Sequence, residues 1–348
     1  MKFIHTSDIH LAKVVDKDYK WTLERGKEFY KTFCDIINIC NVEGVDLLLI
    51  SGNLFDKQPT VAELNDVNDV FKRLVKTKVC LIAGQNDMLI ASSNYNTFSW
   101  NDNVFMAKSA GYDLFEIEEI GTKIYAISEG LDVGRADSFE CDRSFTNILI
   151  CNKADEQDIN MDLVVAEKSG FDYVAIGGRR NYSKVTENTV IAGSPEPLEI
   201  GDIGEHGIII GEINEHNLTY EFKDMCSRKY MDIVLTIDDT MSESEIKERI
   251  VNFIIENGKD NIYTVTLEGY KKADICTDYK ETCDEYNIVN ITDKTVKKYD
   301  FIKLQEDNED NIIGKFIDSI NKSEVDDDIK KKALYYGMEA LLTREGHR

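Results

Sequence analysis

Apolar residues recur along this chain in two patterns. Short continuous runs end in polar, glycine-containing loops: Phe3-Ile4, then Val45 to Ile50, then 78–83. Runs of this kind are what strands covered on both faces of a parallel sheet require. Between them, Leu23, Phe29, Phe33, Ile36, Ile37 and Cys40 fall at helical spacing and predict a helix over 22–41; a second is predicted over 61–76. Strand–loop units with polar loops at their carboxyl ends predict an α/β sandwich with one composite site. Further strands are expected at 113–117, 123–127, 147–152, 171–176, 190–192, 207–213 and 219–225, with a boundary at 226–229. Residues 230–297 read as a separate β-α-β-α-β unit: strands 231–237, 261–267 and 288–292, and helices 242–256 and 277–286. Ser242 and Glu245 form a capping-box pattern at the first of these helices. The tail, 298–348, carries helices at 310–321 and 327–342.

Composition narrows the class. At 348 residues and 42% hydrophobic the chain supports more than one unit. No run approaches the ~18 apolar residues of a membrane span. The N-terminus enters a strand directly, so no signal peptide is read and the expected location is cytoplasmic. Cysteines 34, 40, 80, 141, 151, 226, 276 and 283 include no C-x-x-C pair and read as free thiols rather than a zinc site. The net charge of −24 repels polyphosphate and gives no overall footprint for nucleic acid, although it leaves room for a local basic groove or a basic partner. Two lysine runs stand against that charge. Lys330, Lys331 and Lys332 read as a solvated helix face, and 294–298 as a solvated strand end rather than a phosphate contact. The apolar side of the last helix, Ile329, Leu334, Met338, Leu341 and Leu342, either docks a partner helix or packs on its own domain. Trp21 and Trp100 read as core or interface aromatics.

The candidate chemistry begins at Asp8-x-His10, beyond the first strand. A carboxylate and an imidazole at that spacing can face one metal ion; the bland alternative is a turn Asp and a surface His. The later strands deliver Ser51-Gly52-Asn53-Leu54-Phe55-Asp56, Gly84-Gln85-Asn86-Asp87 and Gly177-Gly178-Arg179-Arg180 to loops of the same kind.

On these stretches, together with Ala192-Gly193-Ser194-Pro195-Glu196-Pro197-Leu198 and Gly204-Glu205-His206-Gly207, the chain resembles the calcineurin-like metallophosphoesterases. The nearest branch is the SbcD-type DNA repair nucleases and their YhaO-like bacterial relatives. The resemblance covers residues 1–225 and extends more loosely over the rest. It implies a two-sheet metallophosphoesterase sandwich at 1–225, a smaller α+β capping domain at 230–297 and a C-terminal helical tail at 298–348. It also implies a two-metal site, usually manganese, and partnership with an SbcC-type coiled-coil ATPase or a second copy of the chain.

The ligand positions of the family are largely altered here. Asp8 and His10 are retained. Asn53 stands at the bridging Asp, Gln85 at the Asn ligand, Asn86 at the general-acid His, and Asn152, Gly178 and Arg180 at further imidazoles. Asp56 and Asp87, which brace the loops in the family, are kept. Neutral Asn53 is a poor bridge between two cations. Arg180 adds a positive charge where a salt bridge to Asp8 or Asp87 is within expectation, or Arg179 and Arg180 hold a phosphate or simply cap a loop. The leading expectation is a catalytically silent SbcD-like exonuclease homologue acting as a binding or scaffold subunit. The alternative is an active metal-dependent DNA exonuclease or phosphoesterase with a remodelled site, in which Asp8, His10, Asn53 and Gln85 hold one Mn or Mg ion. A third is an unrelated structural role on a shared fold.

Overall fold

The structure is a computed structural model that describes residues 1–109, 112–128, 139, 141–152, 170–272 and 278–345. The backbone divides into two compact units, Met1–Met231 and Asp232–Arg348.

The first unit is built on two six-stranded sheets. In the first, β1 (Lys2–Thr6), β2 (Leu47–Ser51), β3 (Lys78–Ile82) and β4 (Val104–Met106) run parallel in that order, and β11 (Gly207–Asn214) and β12 (Asn217–Asp224) extend the β1 edge antiparallel. In the second, β6 (Thr122–Ile127), β7 (Thr146–Asn152), β8 (Tyr173–Gly177) and β10 (Thr189–Ile191) are parallel, flanked by antiparallel β5 (Asp113–Ile117) and β9 (Ser183–Lys184).

Period-two alternation explains the layering. Phe3, Leu47 and Leu49 face the second sheet and pack with Ile124, Ile148, Ile150 and Tyr173. Their neighbours Ile4, Leu48 and Ile50 face the other way, onto Phe33, Ile36 and Ile37 of helix α1 (Thr22–Val42) and Val67 and Phe71 of helix α2 (Val61–Phe71). Each strand is therefore apolar on both faces, as its sequence reads. Helix α2 stops well short of 76. Asn41 of α1 donates to the Arg73 carbonyl at 2.9 Å and accepts from the Val75 N–H at 3.0 Å, which holds the segment beyond the helix as a turn.

In the second unit β13 (Tyr230–Ile237), β14 (Ile262–Lys272) and β15 (Ile288–Asp293) form a sheet, and β16 (Val296–Lys298) pairs with the far end of β14. Helix α3 (Glu243–Asn257) starts at the expected Ser242/Glu245 capping box, and α4 (Lys280–Glu285) follows, residue 277 of its expected range lying outside the described residues. The tail holds α5 (Phe301–Asp307), α6 (Ile312–Asn321) and α7 (Asp327–Glu345). Leu334 and Met338 of α7 are buried against Ile313, Ile317 and Tyr299, with Leu341 and Leu342 packed on the same cluster. The apolar side of α7 thus packs within its own unit rather than standing free, and only Ile329 of that set is exposed, at 56%. Among the described residues no helix is long and apolar enough to cross a membrane. The described cysteines are all free, and burial pushes the Cys40 thiol up to about 12.

A buried ionic cluster ties α1 to distant loops. Arg25, with no exposed surface, donates to Glu196 at 3.0 Å, to Glu28 at 2.6 Å and to the Pro197 carbonyl at 2.7 Å. Glu196 also accepts from Thr32 at 2.6 Å and from the Ser227 N–H at 2.8 Å. Removing one member of such a cluster strands a buried charge, at a cost of ~3 kcal/mol or more. Glu196→Ala is therefore expected to lower the unfolding midpoint of the first unit by roughly 6–12 °C, given ~2–4 °C per kcal/mol at this size. Calorimetry reads this directly, and a shift within ~2 °C contradicts the assignment.

Candidate functional site

The site lies beyond the carboxyl ends of β1, β2, β3, β7 and β8. Two loops zip together there: Asp8 N–H donates to the Gly52 carbonyl at 3.0 Å, His10 N–H to Asn53 at 3.0 Å and Leu11 N–H to Leu54 at 2.8 Å. Asp8, His10 and Asn53 all adopt left-handed backbone, with φ of 52°, 50° and 52°. Such residues cost of order 1 kcal/mol each and persist where surrounding bonds over-determine them. The end of β8 comes so close that a Cβ on Gly177 would lie 1.9 Å from the Ser51 carbonyl oxygen.

Asp8 is buried, and both of its carboxylate oxygens are engaged. Oδ1 accepts from Asn53 Nδ2 at 2.7 Å, and Oδ2 accepts from the Gly178 N–H at 2.8 Å. The orientation of the Asn53 amide is set from its other side, because its Oδ1 accepts from the Asn86 N–H at 2.9 Å. Asn53 therefore turns a hydrogen-bond donor, not an oxygen, toward Asp8. His10 Nδ1 lies 3.0 Å from Asp56 Oδ1, and Nε2 lies 3.7 Å from Asp8 Oδ1. Burial works to lower the His10 pKa, but the hydrogen bonds to Asp56 and Asp8 outweigh it, and the imidazole sits above its ordinary value. Lys13 joins the same Asp56 oxygen at 2.8 Å.

The remaining sequence-derived positions divide. Asn152 Nδ2 donates to the Ser51 carbonyl at 2.8 Å, beside Gly52. Asn86 is exposed and donates through Nδ2 to the Asp56 carbonyl at 3.1 Å. The exposed Gln85 brings no side-chain hydrogen bond to the cluster among the described residues. Gly178 contributes only its N–H. Arg180 does not pair with Asp8 or Asp87; its guanidinium reaches Glu199, which holds that carboxyl below its usual range.

Asp87 is fully buried and clasps the two loops, accepting from the Gly84 N–H at 2.8 Å, the Phe55 N–H at 3.1 Å and the Tyr95 hydroxyl at 2.9 Å. Burial raises its carboxyl to about 6 against those donors. Sequence reasoning missed the partner layer beneath. His5, fully buried on β1, lies 2.9 Å from the Tyr173 hydroxyl across the sheets and 2.8 Å from Ser51 Oγ. Each ring nitrogen thus has a hydroxyl partner, and Ser51 Oγ also lies 3.4 Å from the Thr6 carbonyl. The one signal was a histidine inside an apolar strand.

This donor set does not fit a two-metal centre. Two neighbouring cations need an anionic bridge, and the bridging position presents an amide N–H to Asp8. Among the described residues no group of three or more His, Cys, Asp or Glu side chains is placed to hold an ion.

Comparison with known proteins agrees with the loop pattern. The family model of the calcineurin-like phosphoesterases matches residues 1–180. The chain is 25% identical over 382 aligned positions, covering 95% of this chain and 98% of the relative, to the DNA double-strand break repair protein Mre11 of Saccharolobus solfataricus. Among solved structures it is similar to GAP50, the anchor in the inner membrane complex of Plasmodium, at 11% identity and TM-score 0.41 over 65% of this chain and 84% of that one; this likeness is too slight to carry an argument.

Burial lowers His5 to about 3, so it stays neutral in the folded protein while the unfolded chain titrates near 6.5. A lowered histidine pKa gives stability that is fully present above ~6.5 and lost as pH falls, at ~1.4 kcal/mol per unit. The stability advantage of the wild type over His5→Gln should therefore shrink by roughly that slope between pH 6.5 and 5 in denaturant titrations. Any effect of Asp87 is common to both proteins and cancels. A difference that stays flat across that range contradicts a neutral His5.

Proposed function

The chain belongs to the calcineurin-like phosphoesterase family, and from that premise we propose that it is a catalytically silent member of the SbcD/Mre11-like branch, serving as a binding or scaffold subunit. The observation that carries this reading is the hydrogen bond from Asn53 Nδ2 to Asp8 Oδ1. An Asp at 53 would set two carboxylates against each other and call for cations between them. The amide removes that need, so the loops close on themselves. The imidazole positions at 152, 178 and 180 hold Asn, Gly and Arg, and Asn86 cannot protonate a leaving oxygen, a contribution typically worth ~100- to 10,000-fold.

The relative is described as a DNA double-strand break repair protein, and a repair complex is the setting we propose here. The partner on this reading is a coiled-coil ATPase of the SbcC type or a second copy of the chain. Residues 230–297 then serve as the capping domain and 298–348 as the partner-binding tail. Co-purification of the full chain, against a version lacking 298–348, tests the tail assignment. Unchanged assembly and ATPase association without the tail would remove it.

Single-stranded DNA, double-stranded DNA and a generic phosphodiester should show no manganese-dependent cleavage above an Asp8→Ala/His10→Ala variant. Robust turnover that disappears in the variant establishes instead the remodelled site, with one Mn or Mg ion. Asn53→Asp alone should not create activity, because the imidazoles are still missing. It should lower stability in chelator by roughly 2–4 kcal/mol, the scale of like charges meeting in a partly screened interior. An Asn53→Asp protein as stable as wild type in chelator would show that the Asn53–Asp8 bond does not matter.

A further inference from the structure

The hairpin of β11 and β12 leaves a long edge of the first sheet open. Its two turn residues, Glu215 and His216, both adopt left-handed backbone, with φ of 48° and 66°, as a two-residue hairpin turn requires. The flanking pair, Asn214 and Asn217, therefore exchanges backbone bonds, and every second pair down the ladder does the same. The Met225 N–H, which donates to the His206 carbonyl at 2.9 Å, falls on that alternation. Asn217, Thr219, Glu221 and Lys223 thus commit their backbone groups to β11, whereas Leu218, Tyr220, Phe222 and Asp224 turn theirs outward. Among the described residues β12 pairs with no other strand. Its register is unbroken over all eight pairs, with no proline or bulge to blunt the edge. The other edge strands of this unit are shorter: β5 has five residues, β4 three and β9 two. Side chains alternate as well. Leu218, Tyr220 and Phe222 close the rim of the core between the sheets, the Phe222 ring 4.7 Å from that of Tyr182. Thr219, Glu221 and Lys223 line the other face, beside an open groove of about 340 Å³.

We propose that this edge pairs with the same strand of a second copy of the chain, antiparallel about a two-fold axis at Phe222, so that the first sheets of two copies become one. A row of unpaired N–H and C=O groups is a template for another strand. A symmetric antiparallel pairing must set outward residues against outward residues, so the axis falls on a residue rather than between two. At Glu221 it would set that carboxylate against its own copy, which is destabilising. At Tyr220 it would leave Glu221 and Lys223 facing the uncharged Thr219 and Asn217. At Phe222 it sets Glu221 opposite the partner subunit's Lys223, and Lys223 opposite the partner subunit's Glu221. One strand then supplies two complementary pairs. Lysines alone on an edge repel a copy, and the alternation of Glu221 with Lys223 does the reverse. At physiological salt the charge of −24 on each copy is screened beyond ~8 Å, whereas the paired side chains are in contact. The inference rests on the reading above in which a second copy is a partner; it places that copy on the first unit and leaves 298–348 to the ATPase.

The test is sedimentation equilibrium of the full chain in chelator at physiological salt, with dimer expected to accumulate between ~1 and ~100 µM. Glu221→Lys and Lys223→Glu should each weaken the dimer at least ~5-fold, because each turns two opposite-charge pairs into like-charge pairs. The two changes move the net charge in opposite directions, so a loss common to both does not come from overall repulsion. Glu221→Lys/Lys223→Glu together should return affinity to within ~3-fold of wild type, since the pairs re-form with their charges exchanged. Both side chains are exposed, and unchanged thermal melting checks that the variants fold. A chain still monomeric at ~100 µM overturns the proposal. So does a dimer indifferent to the single reversals, or one that the exchange does not rescue. A monomer that still co-purifies with the ATPase overturns the β12 pairing alone and leaves the binding-subunit reading standing. Manganese-dependent cleavage in the separate activity assay would end the silent-site reading, and a dimer rescued by the exchange would still establish the pairing.

Discussion

The first unit depends on how a buried carboxylate is kept content. Asp8 sits at the meeting point of the β1, β2 and β8 loops, with almost no exposed surface. An ionised carboxylate there needs charge or hydrogen bonds, and an unpaired one would be expelled or protonated. Asn53 and the Gly178 N–H supply two donors, one to each carboxylate oxygen, and the His10 imidazole stands 3.7 Å from the first. The Asn86 N–H holds the far end of the Asn53 amide, so the donor cannot turn away. Three loops are thereby locked through a single side chain.

Further buried bonds hold the frame around that side chain. Asp87 ties the loops after β2 and β3 through backbone N–H groups and Tyr95, and the neutral His5 bridges the two sheets through Tyr173 and Ser51. The side chains of Gln85 and Arg180 take no part in these bonds. The loops keep the family pattern through backbone N–H groups and buried partners of this kind. His10 shows the same economy, held by Asp56 and Lys13 in a bonded arrangement of its own.

Much of this was legible in the sequence. Strands buried on both faces leave apolar runs, and the sheets formed where those runs lie. Short elements were legible only where an apolar run marked them: three-residue β10 lies in such a run, whereas three-residue β4 was not read. The early end of α2 depends on Asn41, a residue of another helix. The list of substituted positions could be read, but not their consequences. Nothing local indicates that Asn53 points its donor at Asp8, that Arg180 turns to Glu199, or that Gln85 faces solvent. Long-range pairing hid the ionic cluster as well, since Arg25 and Glu196 lie 171 residues apart.

The same limit governs charge. A total of −24 is a sum over the whole chain, while recognition is decided within a Debye length of a contact. Lysine runs more than thirty positions apart look like separate solvated faces, because each is flanked by acidic residues in sequence. Folding the second unit changes their neighbours: β16 comes to the end of β14, α7 packs its apolar side inward, and the two runs share one cleft with tyrosines between them. Acidic residues that flank a run along the chain need not flank it in space. Only Glu339 and Asp239 pair with lysines of the cleft among the described residues. The physical character of that surface thus follows from tertiary packing, and composition alone would assign it the opposite sign.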